Sequence, residues 1–345
     1  MIHKGANATP GPRVSVLMAV YNERPAYLDR AIASILDQTL SDFEMIIEDD
    51  GSEDEGTVRA LNCWASRDKR IRLFHEPHRG TTSALNRGLS RCCGQFVCRQ
   101  DSDDWSERDR IAKQVEFLKS EETVAIVGTY VRCWREDGSV LWTWVLPTAP
   151  ADVRKMFPRT SPFAHGAVCF RKEAIEAVGG YREGMVSCQD YDCFWRLCDR
   201  FAGANIPEVL YNYRFTGASI SARFWYDQTK AKAAARKLAE ARRNHQPEDV
   251  EDALRQADIL LSGTDVPYWT LLRTADHNLF AGLYKKAFGD YFRAVERRPL
   301  RSAAWLKLGR AGVFLALPCL RQRLFGHQLW ALAPKWLTWM TPPGS

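Results

Sequence analysis

Apolar and amphipathic segments alternate along the first hundred residues, and this alternation restricts the fold more than any other feature. Residues 14–20 (VSVLMAV) form a near-continuous apolar run, as expected for a strand covered on both faces. Residues 28–36 then repeat apolar side chains at the spacing of one buried helix face. Further strands are predicted at 43–48, 71–74 and 96–98, with helices at 56–65 and 81–90. This order predicts a parallel, helix-covered α/β sheet.

Two acidic turns follow strands of this predicted sheet. Asp49-Asp50-Gly51-Ser52 follows the second strand, and Gln100-Asp101-Ser102-Asp103-Asp104-Trp105 follows the fourth. Right-handed crossovers place successive strand ends on one rim, so we expect both turns to face the same crevice. Carboxylates this close repel one another unless water or a cation such as Mg²⁺ or Mn²⁺ lies among them. The second turn is therefore either a metal site or a solvated turn whose Asp101 or Asp104 caps the next helix.

The rest of the chain falls into a sheet-forming part and a helical part. Beyond Ser221 we predict only helices, at 224–243, 247–261 and 268–287. The predicted organisation is a flexible N-terminus at 1–12, a sheet domain at 13–221 and a helical region at 222–345. Within the sheet domain the pattern predicts a helix at 108–119, an edge strand and hairpin at 124–127 and 130–134, a loop at 147–162, extended structure at 163–170, a helix at 172–178, a helix from Asp190 to Arg200 and a strand at 209–214.

The formal net charge of +6 is unevenly distributed. Residues 297–345 carry eight Lys or Arg and no Asp or Glu, so residues 1–296 have a net charge of −2. This excludes the overall basic surface that nucleic-acid binding requires. Trp305, Trp330, Trp336 and Trp339 lie among these basic residues, a pattern typical of contact with an anionic membrane leaflet. The alternative is a helical subdomain that packs on the rest of the chain with its basic face in solvent.

The cysteines and the apolar segments predict the compartment. The ten cysteines lack the CxxC spacing of a zinc site, and we expect reduced, mostly buried thiols. Residues 1–12 contain no apolar core, so we do not expect a signal peptide. The apolar segment 312–320 has nine residues between two arginines and is too short to span a bilayer. We therefore expect a cytoplasmic protein, peripheral at the cytoplasmic face of the membrane if the basic tail binds lipid.

Four motifs in order make the chain resemble the family 2 glycosyltransferases, which are inverting enzymes with a DxD motif. The motifs are VSVLMAVYN at 14–22, DDGSED at 49–54, DSDDW at 101–105 and QDYDCFWRL at 189–197. The resemblance covers residues 13–221 and leaves the helical region outside. It implies the GT-A nucleotide-diphospho-sugar transferase fold, a Rossmann-like mixed sheet covered by helices.

The resemblance also implies roles for individual residues. Asp190 would be the general base, although a purely capping Asp190 is the alternative. His165 would lie on the acceptor side, although a lone histidine is as well explained as a packed core residue. Asp103 and Asp104 would hold Mn²⁺ or Mg²⁺ against the diphosphate, with Asp104 the weaker ligand. The nucleotide-sugar would contact Ala19, Tyr21, Glu23, Asp50 through the base, Asn86, Asp101 through the ribose, Ser102 and Asp103.

Three positions depart from the family pattern. Leu85 replaces an Arg that often precedes the Asn of the 80–88 segment, and Arg79 and Arg87 are candidate substitutes. Gln189 replaces a Glu before the base. Thr216 replaces a His that approaches the metal in many members, so a protein ligand from that loop is in doubt.

The sequence thus predicts a glycosyltransferase that moves one sugar from a UDP-sugar or similar donor to an acceptor hydroxyl with inversion. The acceptor would be a surface glycan or its lipid-linked precursor. One rival is a non-catalytic nucleotide-sugar-binding or scaffold protein of the same fold, which the three departures keep open. A sugar nucleotidylyltransferase is the other rival, and it lacks support because residues 21–25 (YNERP) are not a Gly-rich phosphate loop.

Overall fold

The computed structural model describes residues 13–215 and 225–316, and the described residues contain one nine-stranded sheet. The strands are β1 Val14–Val20, β2 Phe43–Asp49, β3 Ile71–His75, β4 Phe96–Arg99, β5 Trp105–Ser106, β6 Val124–Arg135, β7 Val140–Trp144, β8 Cys169–Arg171 and β9 Ala202–Phe215. The helices are α1 Pro25–Leu36, α2 Glu55–Arg67, α3 Thr81–Arg91, α4 Arg110–Ser120, α5 Pro150–Met156, α6 Lys172–Ala177, α7 Gln189–Arg200, α8 Trp225–Arg243, α9 Val250–Leu261, α10 Val266–Phe280, α11 Tyr284–Arg297 and α12 Ser302–Ala316.

The sheet is parallel in its first half and mixed in its second. Its order is β3-β2-β1-β4-β8-β6-β9-β5, with β7 paired to β6. Strands β3, β2, β1 and β4 are parallel, whereas β8 is antiparallel to both β4 and β6. The carboxyl ends of β1, β2 and β4 therefore lie on one rim, as predicted.

The apolar run of β1 is buried because both faces of the sheet are covered. Val14, Val16 and Met18 pack in one core with α1, α2 and α4, whereas Leu17 packs in the other. That second core contains α3, α6, α7 and one face of α8. Alternate side chains of one strand thus serve two layers, which explains the continuous apolar pattern.

Some predicted elements were wrong. Residues 124–135 form one interior strand. Gly128 lies inside it and lets Asn205 of β9 approach closely, since a Cβ at this position would lie 2.1 Å from Asn205 Oδ1. The predicted loop at 147–162 contains α5, whose Val153 is buried in the core. A 3₁₀ turn at His165–Ala167 interrupts the predicted extended segment. The predicted helix 268–287 is two helices, α10 and α11, separated at Gly282, which has a φ of +78°.

The helical region contacts the sheet domain through α8. Ala231, Ala235 and Ala239 of α8 belong to the same core as α7. Helices α10, α11 and α12 bury a separate core of their own. The predicted boundary at 221–222, the predicted flexible N-terminus and the tail after 316 lie outside the described residues.

Nine of the ten cysteines lie in the described part of the chain, where none forms a disulfide. Six of the nine are buried, as the sequence predicted. In the same part of the chain, no helix is long and apolar enough to cross a membrane.

Candidate active site

The acidic turn after β4 is fixed by hydrogen bonds from all sides. Gln100 N donates to Leu17 O of β1, and Gln100 Nε2 donates to the backbone carbonyls of Asp101 and Asp104, at 3.0 and 3.1 Å. Asp104 is buried, and its Oδ1 accepts from Arg214 N on β9 at 2.7 Å. The turn is therefore held between β1 and β9, and its carboxylates are not free to spread apart.

Asp101 is paired with a buried arginine that the sequence analysis missed. Arg99, 2% exposed, donates from Nη2 to Asp101 Oδ1 at 2.6 Å and from Nη1 to Leu17 O at 2.6 Å. An arginine at the end of the otherwise apolar strand β4, two residues before the first carboxylate, was the available signal. Arg99 fixes the orientation of Asp101 beside the predicted donor pocket.

Asp103, like Asp101, is a partly exposed carboxylate of the turn. Burial, together with the charges of Asp101 and Glu23, raises the pKa of Asp103 to about 7. Glu23 lies next to the turn, since Ser102 Oγ donates to Glu23 Oε2 at 3.4 Å. Burial raises the pKa of Glu23 as well. The charge of Arg214 opposes both shifts, yet the pKa values of Asp103 and Glu23 stay raised, so the rim favours a cation where Asp103 reaches the crevice.

These residues fit a divalent cation held jointly with a ligand. Asp104 Oδ2 is buried and has no hydrogen-bond partner among the described residues. Burial raises the pKa of Asp104 well above its usual range, and the charges of Asp103 and Asp101 act in the same direction. No group of three or more Asp, Glu, His or Cys side chains in the described ranges is arranged to hold an ion alone. Asp103 therefore has the exposure of a ligand, and the remaining ligands would have to come from bound phosphates and water.

Asp50 lies on the same rim with its acceptor positions filled. Its Oδ1 accepts from Arg79 N at 3.1 Å and from Arg87 Nη2 at 2.7 Å. Its Oδ2 accepts from Gly80 N at 2.7 Å and lies 2.9 Å from His78 Nδ1. A carboxylate accepts about four hydrogen bonds. A nucleotide base could therefore reach Asp50 only by displacing a partner, and His78, half exposed, is the least constrained.

The aromatic ring of Tyr21 lies beside this group. Tyr21 is 46% exposed, and its ring stacks on His78 with a centroid distance of 4.1 Å. Asn22, which has a φ of +48°, accepts from Glu53 N and Asp54 N and joins the turn after β1 to the turn after β2. Ala19 is partly buried at the end of β1. The residues predicted to contact the nucleotide at the ends of β1 and β2 thus lie together at one rim.

Asn86 positions the backbone after α6. Its Nδ2 donates to Tyr181 O at 2.8 Å, and its Oδ1 accepts from Tyr181 N at 3.0 Å. Leu85, the departure from the family pattern, is buried in the core. Arg87 and Arg79 were the candidates to replace the missing arginine. Arg87 is paired with Asp50, whereas the side chain of Arg79 is exposed and can contact a ligand.

Asp190 lies at the start of α7 as the second residue of the helix. The residue at the N-cap position is Cys188, in the left-handed conformation with a φ of +55°, so the alternative of a capping Asp190 is wrong. Burial raises the pKa of Asp190, while the N–H of Tyr191 and the charge of Lys232 on α8 act in the opposite direction. The charge of Asp101 also raises this pKa, so Asp190 lies close enough to the acidic turn to interact with it electrostatically. A raised pKa suits a group that has to accept a proton.

His165 lies between the acidic turn and the residues after α6. Its Nε2 is 3.3 Å from Arg99 Nε and 3.1 Å from Tyr181 Oη. Burial and the charge of Arg99 lower the pKa of His165 well below its usual range, so the ring is neutral. The side chain is partly exposed and joins a polar network, while its ring packs against Tyr181 and Phe194, so its role on the acceptor side stays a prediction.

Gly166 is required where the 3₁₀ turn meets Asp101. A Cβ at this position would lie 2.0 Å from Tyr211 Oη and 2.6 Å from Asp101 Oδ2. We expect Gly166→Ala to destabilise the fold by about 2 kcal/mol through overpacking and to weaken donor binding by displacing Asp101. Gly289→Ala, which meets nothing within 4 Å, is the matched control. Equal thermal stability and donor affinity in the two variants would contradict this role.

Tyr211, Tyr181 and Arg214 also belong to the site, and sequence reasoning did not find them. Tyr211 Oη accepts from Asp101 N at 3.2 Å, and Arg214 Nε donates to Asp103 O at 2.9 Å. Arg214 also lies 3.9 Å above the ring of Tyr27. The two hydrogen bonds to the acidic turn join positions about 110 residues apart, for which the sequence offers no local signal. Thr216 lies outside the described residues.

Comparison with known proteins identifies similar sequences. Residues 15–179 match the family model described as Glycosyl transferase family 2. The matched range ends before Asp190. The chain is 32% identical over 209 residues to the O-antigen biosynthesis glycosyltransferase WbnJ of Escherichia coli, covering 60% of this chain and 81% of that protein. It is 31% identical over 210 residues to the UDP-Gal:alpha-D-GlcNAc-diphosphoundecaprenol beta-1,3-galactosyltransferase of Escherichia coli, covering 59% of this chain and 75% of that protein.

A solved structure supplies the corresponding comparison of folds. The chain superposes on the mannosyltransferase PcManGT from Pyrobaculum calidifontis, solved in complex with GDP-Man and Mn²⁺, with a TM-score of 0.52. The two sequences are 20% identical, and the match covers 90% of this chain and 84% of that chain.

Proposed function

The chain belongs to glycosyl transferase family 2 and has the GT-A fold predicted from its sequence, and we propose that it transfers one sugar from a nucleotide-diphospho-sugar to an acceptor hydroxyl with inversion. It is therefore an enzyme, a glycosyltransferase. The observation that carries the specific proposal is the rim at which Glu23, Asp50, Asp101 and Asp103 lie together, with Asp190 electrostatically close to it.

The donor proposal rests on the chemistry of this rim. Tyr21 offers an exposed ring for a base, and Asp101 offers a fixed carboxylate for ribose hydroxyls. Asp103 is proposed to hold Mn²⁺ or Mg²⁺, and Asp104 to support the turn or to act as a weaker ligand. When bound, the ion would neutralise charge on the diphosphate leaving group. A UDP-sugar is the proposed donor, in keeping with the UDP-Gal in the name of the galactosyltransferase relative.

Asp190 is proposed as the general base of a single displacement. It would accept the proton of the acceptor hydroxyl as the acceptor oxygen attacks the anomeric carbon and the nucleoside diphosphate leaves. The bond to the diphosphate breaks on the face opposite the attack, so the anomeric configuration inverts. The partial burial of Asp190 keeps it poorly hydrated, and Lys232 opposes the resulting rise of its pKa.

The proposed acceptor is a surface glycan or its lipid-linked precursor. The names of both relatives above include such products or substrates, an O-antigen and a diphosphoundecaprenol-linked sugar. The test is release of nucleoside diphosphate from a panel of nucleotide-sugars with Mn²⁺, with and without a lipid-linked oligosaccharide extract. We expect acceptor-dependent release from one donor. Formation of a nucleotide-sugar from a nucleoside triphosphate and a sugar phosphate would instead favour a nucleotidylyltransferase.

Peripheral contact with an anionic membrane through residues 297–345, at the cytoplasmic face, remains a proposal. Arg297 and Arg298 pair with Asp265 at 2.7 and 2.6 Å, and Lys307 pairs with Asp276 at 2.6 Å. These three charges serve packing within the helical region. The remaining basic residues, most of them after Ala316, must therefore supply most of the attraction to lipid.

We expect deletion of residues 317–345 to release the protein from anionic vesicles. This endpoint preserves α12, whose Ala304 and Leu308 are buried against α10 and α11. Binding should fall steeply, because each Lys or Arg near an anionic surface contributes about 1 kcal/mol. Flotation with vesicles containing anionic lipid measures the effect, and vesicles of zwitterionic lipid are the control. Undiminished flotation of the truncated chain would show that the tail is not the anchor.

A further inference from the structure

The hydrogen bonds around His165 determine which of its ring nitrogens carries the proton. Arg99 Nε, 3.3 Å from Nε2, can only donate, because a guanidinium has no acceptor. Nε2 is therefore an unprotonated acceptor. The hydroxyl of the buried Tyr181, 3.1 Å from the same nitrogen, must then donate as well. The single proton of a neutral imidazole consequently lies on Nδ1.

Both donors to Nε2 are themselves fixed. The guanidinium of Arg99 is bound by Leu17 O and by Asp101 Oδ1, each at 2.6 Å. Tyr181 is held through two hydrogen bonds between its backbone and the side chain of Asn86. The ring of His165 also packs edge-on against Phe194, with a centroid distance of 5.8 Å. Arg99 cannot turn away from Nε2 without breaking a buried hydrogen bond, and the buried ring of Tyr181 has no room to do so, so the tautomer is built into the fold.

The other ring nitrogen, Nδ1, belongs to a partly exposed side chain that lies beside Arg99 and the acidic turn. Nδ1 of His165 has no hydrogen-bond partner in the described part of the chain, and the side chain is partly exposed. Asp101 and Asp190 are the charged groups of the neighbouring turn and of α7, and Arg99 is that of β4. An unpaired Nδ1–H beside the donor rim is a hydrogen-bond donor that substrate can use.

We propose that His165 acts in the transfer as a hydrogen-bond donor, giving its Nδ1–H to a sugar oxygen of a bound substrate, with Arg99 and Tyr181 as the residues that position it. It does not abstract the acceptor proton, because its basic nitrogen is occupied by Arg99 and Tyr181. This assignment deepens the proposed function and rests on it for the identity of the substrate. The tautomer itself depends only on the fold.

The tautomer is tested in the full-length protein by NMR with ¹⁵N-labelled histidine, assigning His165 by its loss in His165→Asn. We expect the neutral Nδ1–H pattern at every pH between 5.5 and 8, with the other histidines as internal references for the pH response. A His165 signal that titrates in this range, or that carries its proton on Nε2, overturns the proposal. This readout needs no substrate, so it is independent of whether the proposed transfer is correct.

The role in transfer is tested by two substitutions that differ in where they place an amide. The side-chain nitrogen of Asn replaces Nδ1, so His165→Asn should keep kcat/KM within about tenfold of wild type. The longer Gln brings its amide toward Arg99 and Tyr181, and we expect His165→Gln to lose about 100-fold. Comparable losses in the two variants, or a greater loss with Asn, overturn the proposed use of Nδ1–H. If neither variant nor wild type transfers sugar while the NMR result holds, the proposed function fails and the tautomer assignment stands.

Discussion

Replacing Asp190 by Asn should reduce sugar transfer by about 10²- to 10⁴-fold, the usual contribution of a positioned general base. The amide has nearly the shape of the carboxylate but cannot accept the proton of the acceptor hydroxyl. Since Asp190 is the second residue of α7 and Cys188 is its N-cap, the helix should remain intact. Transfer is measured as nucleoside diphosphate released per enzyme, alongside the thermal unfolding midpoint.

The assignment of Asp190 as the base also predicts how kcat/KM of the wild-type protein depends on pH. Asp190 must be ionised to act, and burial raises its pKa, so kcat/KM should increase with pH through a value above the usual aspartate range. Asp199→Asn is the matched control, since Asp199 is on the same helix and pairs with Arg242 at 2.5 Å. That control should retain transfer. If Asp190→Asn transfers sugar at the wild-type rate, Asp190 is not the base.

Replacing Asp103 by Asn should have opposite effects on function and on stability. Loss of the partly exposed carboxylate should weaken metal-dependent donor binding by about 100-fold, or roughly 3 kcal/mol. In metal-free protein the same change removes a charge that Asp101 and Glu23 repel. We therefore expect the unfolding midpoint in EDTA at pH 8 to rise in the variant.

Two measurements separate these effects. Donor affinity is determined by calorimetry with Mn²⁺, and stability by thermal unfolding in EDTA. Asp152→Asn is the control for a lost surface charge, since Asp152 is exposed and 3.4 Å from Lys155. If Asp103→Asn binds the donor as tightly as wild type in Mn²⁺, the assignment of Asp103 to the metal is incorrect.

The rim of the sheet could be predicted from the sequence because it follows from local patterns and one topological rule. The strand at 14–20 was identified by its apolar run, and the turns at 49–52 and 100–105 by their carboxylates. Right-handed crossovers then bring these turns together. Across the rim, Asn22 N donates to Ser52 Oγ and Ser102 Oγ donates to Glu23 Oε2. The same reasoning gave the sheet domain but could not define the partners that each carboxylate would have.

Other features depend on contacts between distant segments. Tyr211 and Arg214 reach the acidic turn because β9 pairs antiparallel with β5, a pairing that no local pattern reveals. Asp50 was expected to face the base, yet its oxygens accept from Arg79, Gly80 and Arg87. Its role toward the base stays a prediction.

Two errors have simpler causes. The helix predicted at 268–287 contains Gly282, at which the structure separates α10 from α11. Residues 124–127 and 130–134 were predicted as two strands, whereas Gly128 lies inside the single strand Val124–Arg135 and permits close approach to Asn205. In both cases the meaning of a glycine depended on its surroundings, which the sequence alone does not supply.

The most direct test of the account is thermal unfolding of the full-length protein with a panel of nucleotide-sugars, each in Mn²⁺ and in EDTA. A bound donor raises apparent stability by RT ln(1 + [L]/Kd), so occupancy is read as a shift of the midpoint. We predict that one nucleotide-sugar, a UDP-sugar, raises the midpoint in Mn²⁺ and loses most of that effect in EDTA. No shift with any nucleotide-sugar, or an equal shift in EDTA, would contradict a metal-assisted donor site at the acidic turn.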